Sequence, residues 1–136
     1  MKSKYEKFKI IGNPYKDDFK RKNEEPYPIH LKIAVASTTN KNEYIKDSAF
    51  VKRYEKLIND INWNFGGSTA YLRDILGGYE LAGKIIKEKV ALIECGVSKE
   101  KWNKLDRGFR RYIAKRKNSW GQDSVMVLLN GKTYFI

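Results

Sequence analysis

The chain has 136 residues, with one cysteine and one histidine. That length suits one domain around one core, and those counts exclude an intramolecular disulfide and a zinc site of the usual Cys/His make-up. Lys and Arg number 28 against 16 Asp and Glu, a formal net charge of +12. Such a field attracts polyanions, although a lysine excess also serves solubility alone.

Hydrophobic residues make up 41% of the chain and charged residues 32%, enough apolar side chain for a core under a well-solvated exterior. No apolar run approaches the roughly 20 residues that span a bilayer. The opening MKSKYEKFK lacks the apolar stretch of a secretory signal. A cytoplasmic protein with no membrane partner is the expectation.

Residues 1–28 carry mixed charge, Pro26 and Pro28, and no sustained period. They read as a basic, partly ordered amino-terminal arm ahead of a single domain at 29–136. From Ile29 the run IHLKIAVA places Ile29, Leu31, Ile33 and Val35 in alternation with His30, Lys32, Ala34 and Ala36, the period of a half-buried strand. After a polar loop, Asp47 or Ser48 is placed to cap a helix. Its apolar stripe is Phe50, Tyr54, Leu57, Ile58, Ile61 and Phe65, and Gly66-Gly67 ends it.

STAYLRDILGGYELAGK then reads as an extended segment interrupted at Gly77-Gly78, and IIKEKVALIECG as a strand pairing with it in a hairpin. Cys95 lies in this apolar strand as a small core or near-surface residue. Ser98 is placed to cap a second helix with Trp102, Leu105, Phe109, Tyr112 and Ile113 on one face. SVMVLLNGKTYFI closes the chain as strand, Asn-Gly turn and short strand. The order β-α-β-β-α-β predicts an α+β, ferredoxin-like fold, a four-stranded antiparallel sheet with two helices on one face. The uncovered face is open to a ligand, RNA bases or a second copy of the chain.

Three features are candidates for function. Between residues 99 and 117 nine basic side chains stand against two acidic ones. Lys104, Arg107, Arg110, Arg111 and Lys115 fall away from the apolar stripe, a ridge suited to phosphate or another polyanion and equally readable as a solvated helix face. Phe65-Gly66-Gly67-Ser68-Thr69 is a glycine turn with adjacent hydroxyls, either an anion-accepting concavity or a helix stop. Thr69, Tyr71, Tyr79, Gln122 and Ser124 would line one pocket if they met across the sheet, the aromatics stacking on a base or sugar and Gln122 and Ser124 reading polar edges. Turn and capping roles account for the same residues.

No pairing of base and nucleophile stands out, so no catalytic residue is assigned. His30 stands alone in its strand, with Ser37 and Thr38 as the nearest hydroxyls in sequence. The acidic residues Asp74, Glu80, Glu88 and Glu94 show no metal-ligand spacing, so no metal or cofactor is expected.

The succession FGGST at 65–69, GGY at 77–79, Lys-Glu-Lys-Val at 87–90 and GQDSV at 121–125 resembles a family of small, uncharacterised bacterial and archaeal proteins. The family pattern carries tryptophan where this chain has Tyr79. The resemblance spans about residues 29–129 and implies the fold more than any activity.

Basicity, small size and the lack of catalytic groups together predict a non-enzymatic binder of a phosphate-bearing ligand. A nucleotide sequestered by a viral or mobile-element protein fits, as does a short nucleic acid. Alternatives are a sequence-tolerant DNA- or RNA-binding protein, an interaction module for an acidic partner, a homodimer through the sheet, and a small phosphodiesterase or nuclease built on His30.

Overall fold

A computed structural model of the chain describes residues 27–41, 43–72 and 76–136. The predicted arm falls outside these residues except for Tyr27 and Pro28. Strand β1 (Ile29–Ala36) leads to helix α1 (Asp47–Phe65). Strands β2 (Thr69–Tyr71), β3 (Leu76–Leu81) and β4 (Lys84–Val97) follow, then helix α2 (Lys99–Ser119) and strands β5 (Met126–Leu129) and β6 (Lys132–Phe135). The fold is α+β and ferredoxin-like, an antiparallel sheet with two helices.

The alternation read in β1 is the alternation observed. Leu31, Ile33 and Val35 are fully buried, and their β4 partners Cys95, Ile93 and Ala91 lie beside them on the helix-covered face. The helices close over that layer with Phe50, Leu57, Ile61 and Phe65 from α1 and Trp102, Phe109 and Ile113 from α2. Phe65, Trp102 and Phe109 form a three-ring cluster with centroids 5.6–6.2 Å apart. Burial pushes the Cys95 thiol up to about 11, so at neutral pH it stays protonated and inert. Among the described residues no helix is long and apolar enough to cross a membrane.

Three expectations are corrected. The sheet has six strands rather than four, in the order β2-β4-β1-β5-β6 with β3 also on β4. At 14 residues β4 is long enough to pair β3 along its first half and β2 along its second. Gly77 and Gly78 lie within β3 and interrupt nothing. The hairpin turns at Ala82-Gly83, both at positive φ (50° and 82°), the same pattern as Asn130-Gly131 (51° and 80°) in the predicted Asn-Gly turn. Lys46 occupies the cap position of α1 without a side-chain hydrogen bond, and Asp47 falls in the first helical turn, where its charge meets the positive end of the helix dipole. Ser98 caps α2 as predicted, its hydroxyl accepting from the Lys101 amide at 3.2 Å.

Candidate functional site

Helices cover the odd-numbered side of β1, so the even-numbered residues of β1 and β4 face the open side of the sheet. Ala34, Ala36, Val90 and Leu92, all partly exposed, make an apolar middle. A carboxylate stands towards each end of β4. Glu88 and Glu94 are six residues apart, about 20 Å of strand, and their surroundings differ.

Glu94 is heavily engaged. The Tyr71 hydroxyl donates to it at 2.8 Å, His30 Nε2 lies at 3.3 Å and Lys32 Nζ at 3.8 Å. The Tyr71 hydrogen bond outweighs partial desolvation, and with His30 and Lys32 it holds this carboxyl below its ordinary range. In turn Glu94 raises the Tyr71 phenol. Beside them lies a cavity of about 430 Å³ lined by Tyr27, His30, the Gly66-Gly67-Ser68-Thr69 turn, Glu94, Gly96 and Lys101. Gly96 lies against Tyr27, where an added Cβ would make ordinary van der Waals contact with the tyrosine side chain at 3.4 Å. Gly66, at φ 95°, ends α1 in the left-handed conformation.

Glu88 has a different setting. The hydroxyl of Thr38, a residue only 1% exposed, donates to its Oε2 at 2.5 Å. Opposite Glu88 in the β3–β4 ladder is Gly77. A Cβ at that glycine would stand 2.8 Å from Val90 Cγ2, so the missing side chain is what lets β3 lie against Val90, with Glu88 Cγ at an ordinary contact distance of 3.6 Å. Behind the cluster, Arg53 rises from the apolar stripe of α1. Its Nη1 donates to the carbonyls of Ala36 (2.8 Å) and Thr38 (2.9 Å), and its Nη2 to that of Trp120 (2.7 Å). Burial lowers the Arg53 guanidinium, and the charge of Glu88 opposes that effect.

The loop after β1 is stitched to the same region. Gln122 Nε2 donates to the Thr38 carbonyl, the Tyr44 hydroxyl to the Lys87 carbonyl, and the Asn40 amide to the Gly121 carbonyl at 2.6 Å. The segments GGY, Lys-Glu-Lys-Val and GQDSV, far apart in sequence, therefore meet around Thr38 and Glu88. Among the described residues no group of three or more His, Cys, Asp and Glu could hold a metal ion.

The five residues expected to line one pocket are divided. Thr69 and Tyr71 pair with Glu94 and Leu92, whereas Tyr79 pairs with Ile86 on the other half of β4. Gln122 and Ser124 belong with Tyr79's end, Gln122 partly buried against the Thr38 carbonyl and Ser124 exposed before β5. The backbone places Tyr79 two residues from Gly77. The cause of the division is the tandem pairing of β2 and β3 along one long strand. Lys104, Arg107, Arg110, Arg111 and Lys115 are all exposed on α2, Lys104 pairing with Glu100 at 3.5 Å. The sequence reading named Thr38 only as a hydroxyl near His30, and Glu88 only among acidic residues without metal-ligand spacing and within the Lys-Glu-Lys-Val segment, and did not join the two. It missed Arg53, whose signal was a charge within an otherwise apolar stripe.

No family model and no curated protein matches the chain. Among solved structures it is similar to a phage SAM lyase in complex with S-methyl-5'-thioadenosine, with 15% identity over 82% of this chain and 91% of that one, at a TM-score of 0.56. It is also similar to a phage SAM lyase in the apo state, with 18% identity over 79% and 87% of the two chains and a TM-score of 0.49. At these identities the likeness shows the fold. It overturns the expectation of a non-enzymatic binder of phosphate ligands, together with its nucleic-acid, acidic-partner and nuclease alternatives. The similar protein is an enzyme, and the thionucleoside it holds carries no phosphate. The local charge agrees: the side chains that converge at the Thr38 end present a carboxylate, which repels phosphate, while the basic ridge is a property of the outer face of α2.

Proposed function

We propose that this protein is an enzyme that cleaves S-adenosylmethionine as a lyase, with Glu88 in its site. The observation that carries the reading is the convergence of Glu88, Thr38, Gly77 and Gln122 at one end of a sheet whose fold is shared with a SAM lyase over 82% of this chain. S-adenosylmethionine carries a fixed positive charge on sulfur, and a carboxylate attracts it where a phosphate-binding site would not.

Among the described residues, Glu88 accepts a side-chain hydrogen bond from Thr38. Its remaining lone pairs serve a cationic centre or a ribose hydroxyl. Glu94 is already held by Tyr71, His30 and Lys32, which leaves it less to offer. Release of S-methyl-5'-thioadenosine breaks a carbon–sulfur bond, and the bonding pair returns to sulfur, so the sulfonium becomes a neutral thioether. A lyase consumes no water: as the carbon–sulfur bond breaks, an oxygen of the substrate's own carboxylate bonds to the carbon left behind, and the four-carbon fragment closes to a lactone with no proton to place. The product has lost the charge that Glu88 attracts, which favours its departure.

Calorimetric titration tests the site. Sinefungin, in which an amine-bearing carbon replaces the sulfonium, keeps the positive charge and cannot be cleaved. The wild-type protein is expected to bind sinefungin at least about tenfold more tightly than S-methyl-5'-thioadenosine, a difference of about 1.4 kcal/mol. Glu88→Gln should bring the two affinities within about threefold of each other. Saturable binding of neither compound would overturn the assignment.

A further inference from the structure

We propose that Arg53 is a positioning residue for this reaction, acting on Glu88 through Thr38; the inference rests on the site assigned above. The guanidinium is 8% exposed and spends its hydrogen bonds on three main-chain carbonyls, those of Ala36, Thr38 and Trp120. These belong to two pieces of chain: the end of β1 with the loop that follows it, and the turn after α2. The planar fork of an arginine reaches all three at once, and its carbon lies 5.8 Å from the centre of the Trp120 ring.

Stability gives little reason for a charge at this position. A buried ion loses several kcal/mol of solvation, and hydrogen bonds to carbonyls do little more than offset that loss. A leucine or methionine on the α1 stripe would extend the core without the penalty. What the arginine adds is register. The Thr38 carbonyl receives both Arg53 and Gln122, while the hydroxyl of the same residue donates to Glu88. Fixing that peptide fixes where the hydroxyl points, and the hydroxyl selects which carboxylate oxygen of Glu88 is engaged and which is left for substrate.

A double-mutant cycle on S-adenosylmethionine turnover separates this role from general support. Arg53→Met and Thr38→Val should each lower kcat about tenfold or more with KM changed less than about threefold, a loss confined to the reacting geometry. The double variant should be no slower than the slower single one within about twofold. Arg53→Lys, which retains a cation able to reach the Thr38 carbonyl, should recover most of the lost rate. If Arg53→Met does not fold, the cycle is run with Arg53→Gln, which is uncharged and has one donor nitrogen where the three bonds use two. Multiplying effects in the double variant, or full activity in a folded Arg53→Met protein, would overturn the proposal.

Amide exchange keeps the inference separable from the assignment of the reaction. If the wild-type protein leaves S-adenosylmethionine intact, the proposed function fails, yet the tie itself is still read at the amides of Thr39, Asn40 and Ile45, which bond to Glu43, Gly121 and Ser37. Faster exchange there in Arg53→Met or Arg53→Gln, with the β1–β4 amides unchanged, supports the tie. Unchanged exchange refutes it.

Discussion

Asp60 feels opposing influences. Partial burial pushes its carboxyl up, but the hydrogen bonds from Tyr112 and Lys56 and the nearby charges of Lys56 and Arg116 outweigh it, and the group sits below its ordinary value. The Tyr112 hydroxyl donates to it at 2.6 Å, joining α1 to α2. Burial and this carboxylate together raise the Tyr112 phenol far above its usual range, so it remains a donor at any working pH. A carboxyl depressed by folding adds stability that is present above its unfolded pKa and is lost as pH falls through the folded value. Urea unfolding of Tyr112→Phe should therefore show a deficit of about 1 kcal/mol at neutral pH. The deficit should shrink as pH drops below about 4, where the wild-type protein loses the same contribution. A constant deficit across that range would mean that the contact is packing alone. Arg53 shows why such residues escape a sequence reading. On a helical wheel a charged residue is assigned to solvent, and only the positions of three carbonyls in three dimensions explain why it faces inward.

At the level of elements, the regular periods were readable. Two-residue alternation located β1, the run IIKEKVALIECG read as a strand is most of β4, the three-and-four spacing located both helices, and Ser98 and Asn130-Gly131 marked a cap and a turn that the structure contains. The β2–β3 region was less legible, because a glycine pair signals a break and an Ala-Gly pair does not signal a turn. Gly77-Gly78 is strand and Ala82-Gly83 is turn. A single sequence also does not show that a 14-residue strand is shared end to end by two partners, and this sharing separates Thr69 and Tyr71 from Tyr79, Gln122 and Ser124. Gly77 has a task that its neighbours cannot take over. Gly77→Ala would drive a Cβ to 2.8 Å from Val90 Cγ2 and against Glu88. The ladder must shift to relieve it, so melting temperature and turnover should both fall, turnover by about tenfold or more. An alanine protein as active as wild type would show that the approach of β3 to Glu88 is not needed.

Over the whole molecule, charge and site have come apart. The net charge of +12 pointed to an anionic ligand, but Lys104, Arg107, Arg110, Arg111 and Lys115 lie exposed on a helix that packs against the opposite side of the sheet from Glu88. Long-range fields set encounter rates and solubility, whereas the groups within a few ångströms of the ligand set what is bound. Arg107→Glu combined with Arg111→Glu should leave turnover of S-adenosylmethionine within about twofold of wild type. A tenfold change would return the ridge to the functional site. The most direct measurement is mass spectrometry of S-adenosylmethionine incubated with the purified protein. S-methyl-5'-thioadenosine should accumulate mole for mole with the substrate lost, and Glu88→Gln should reduce its formation sharply; S-adenosylmethionine recovered intact after prolonged incubation with folded protein would contradict the lyase assignment.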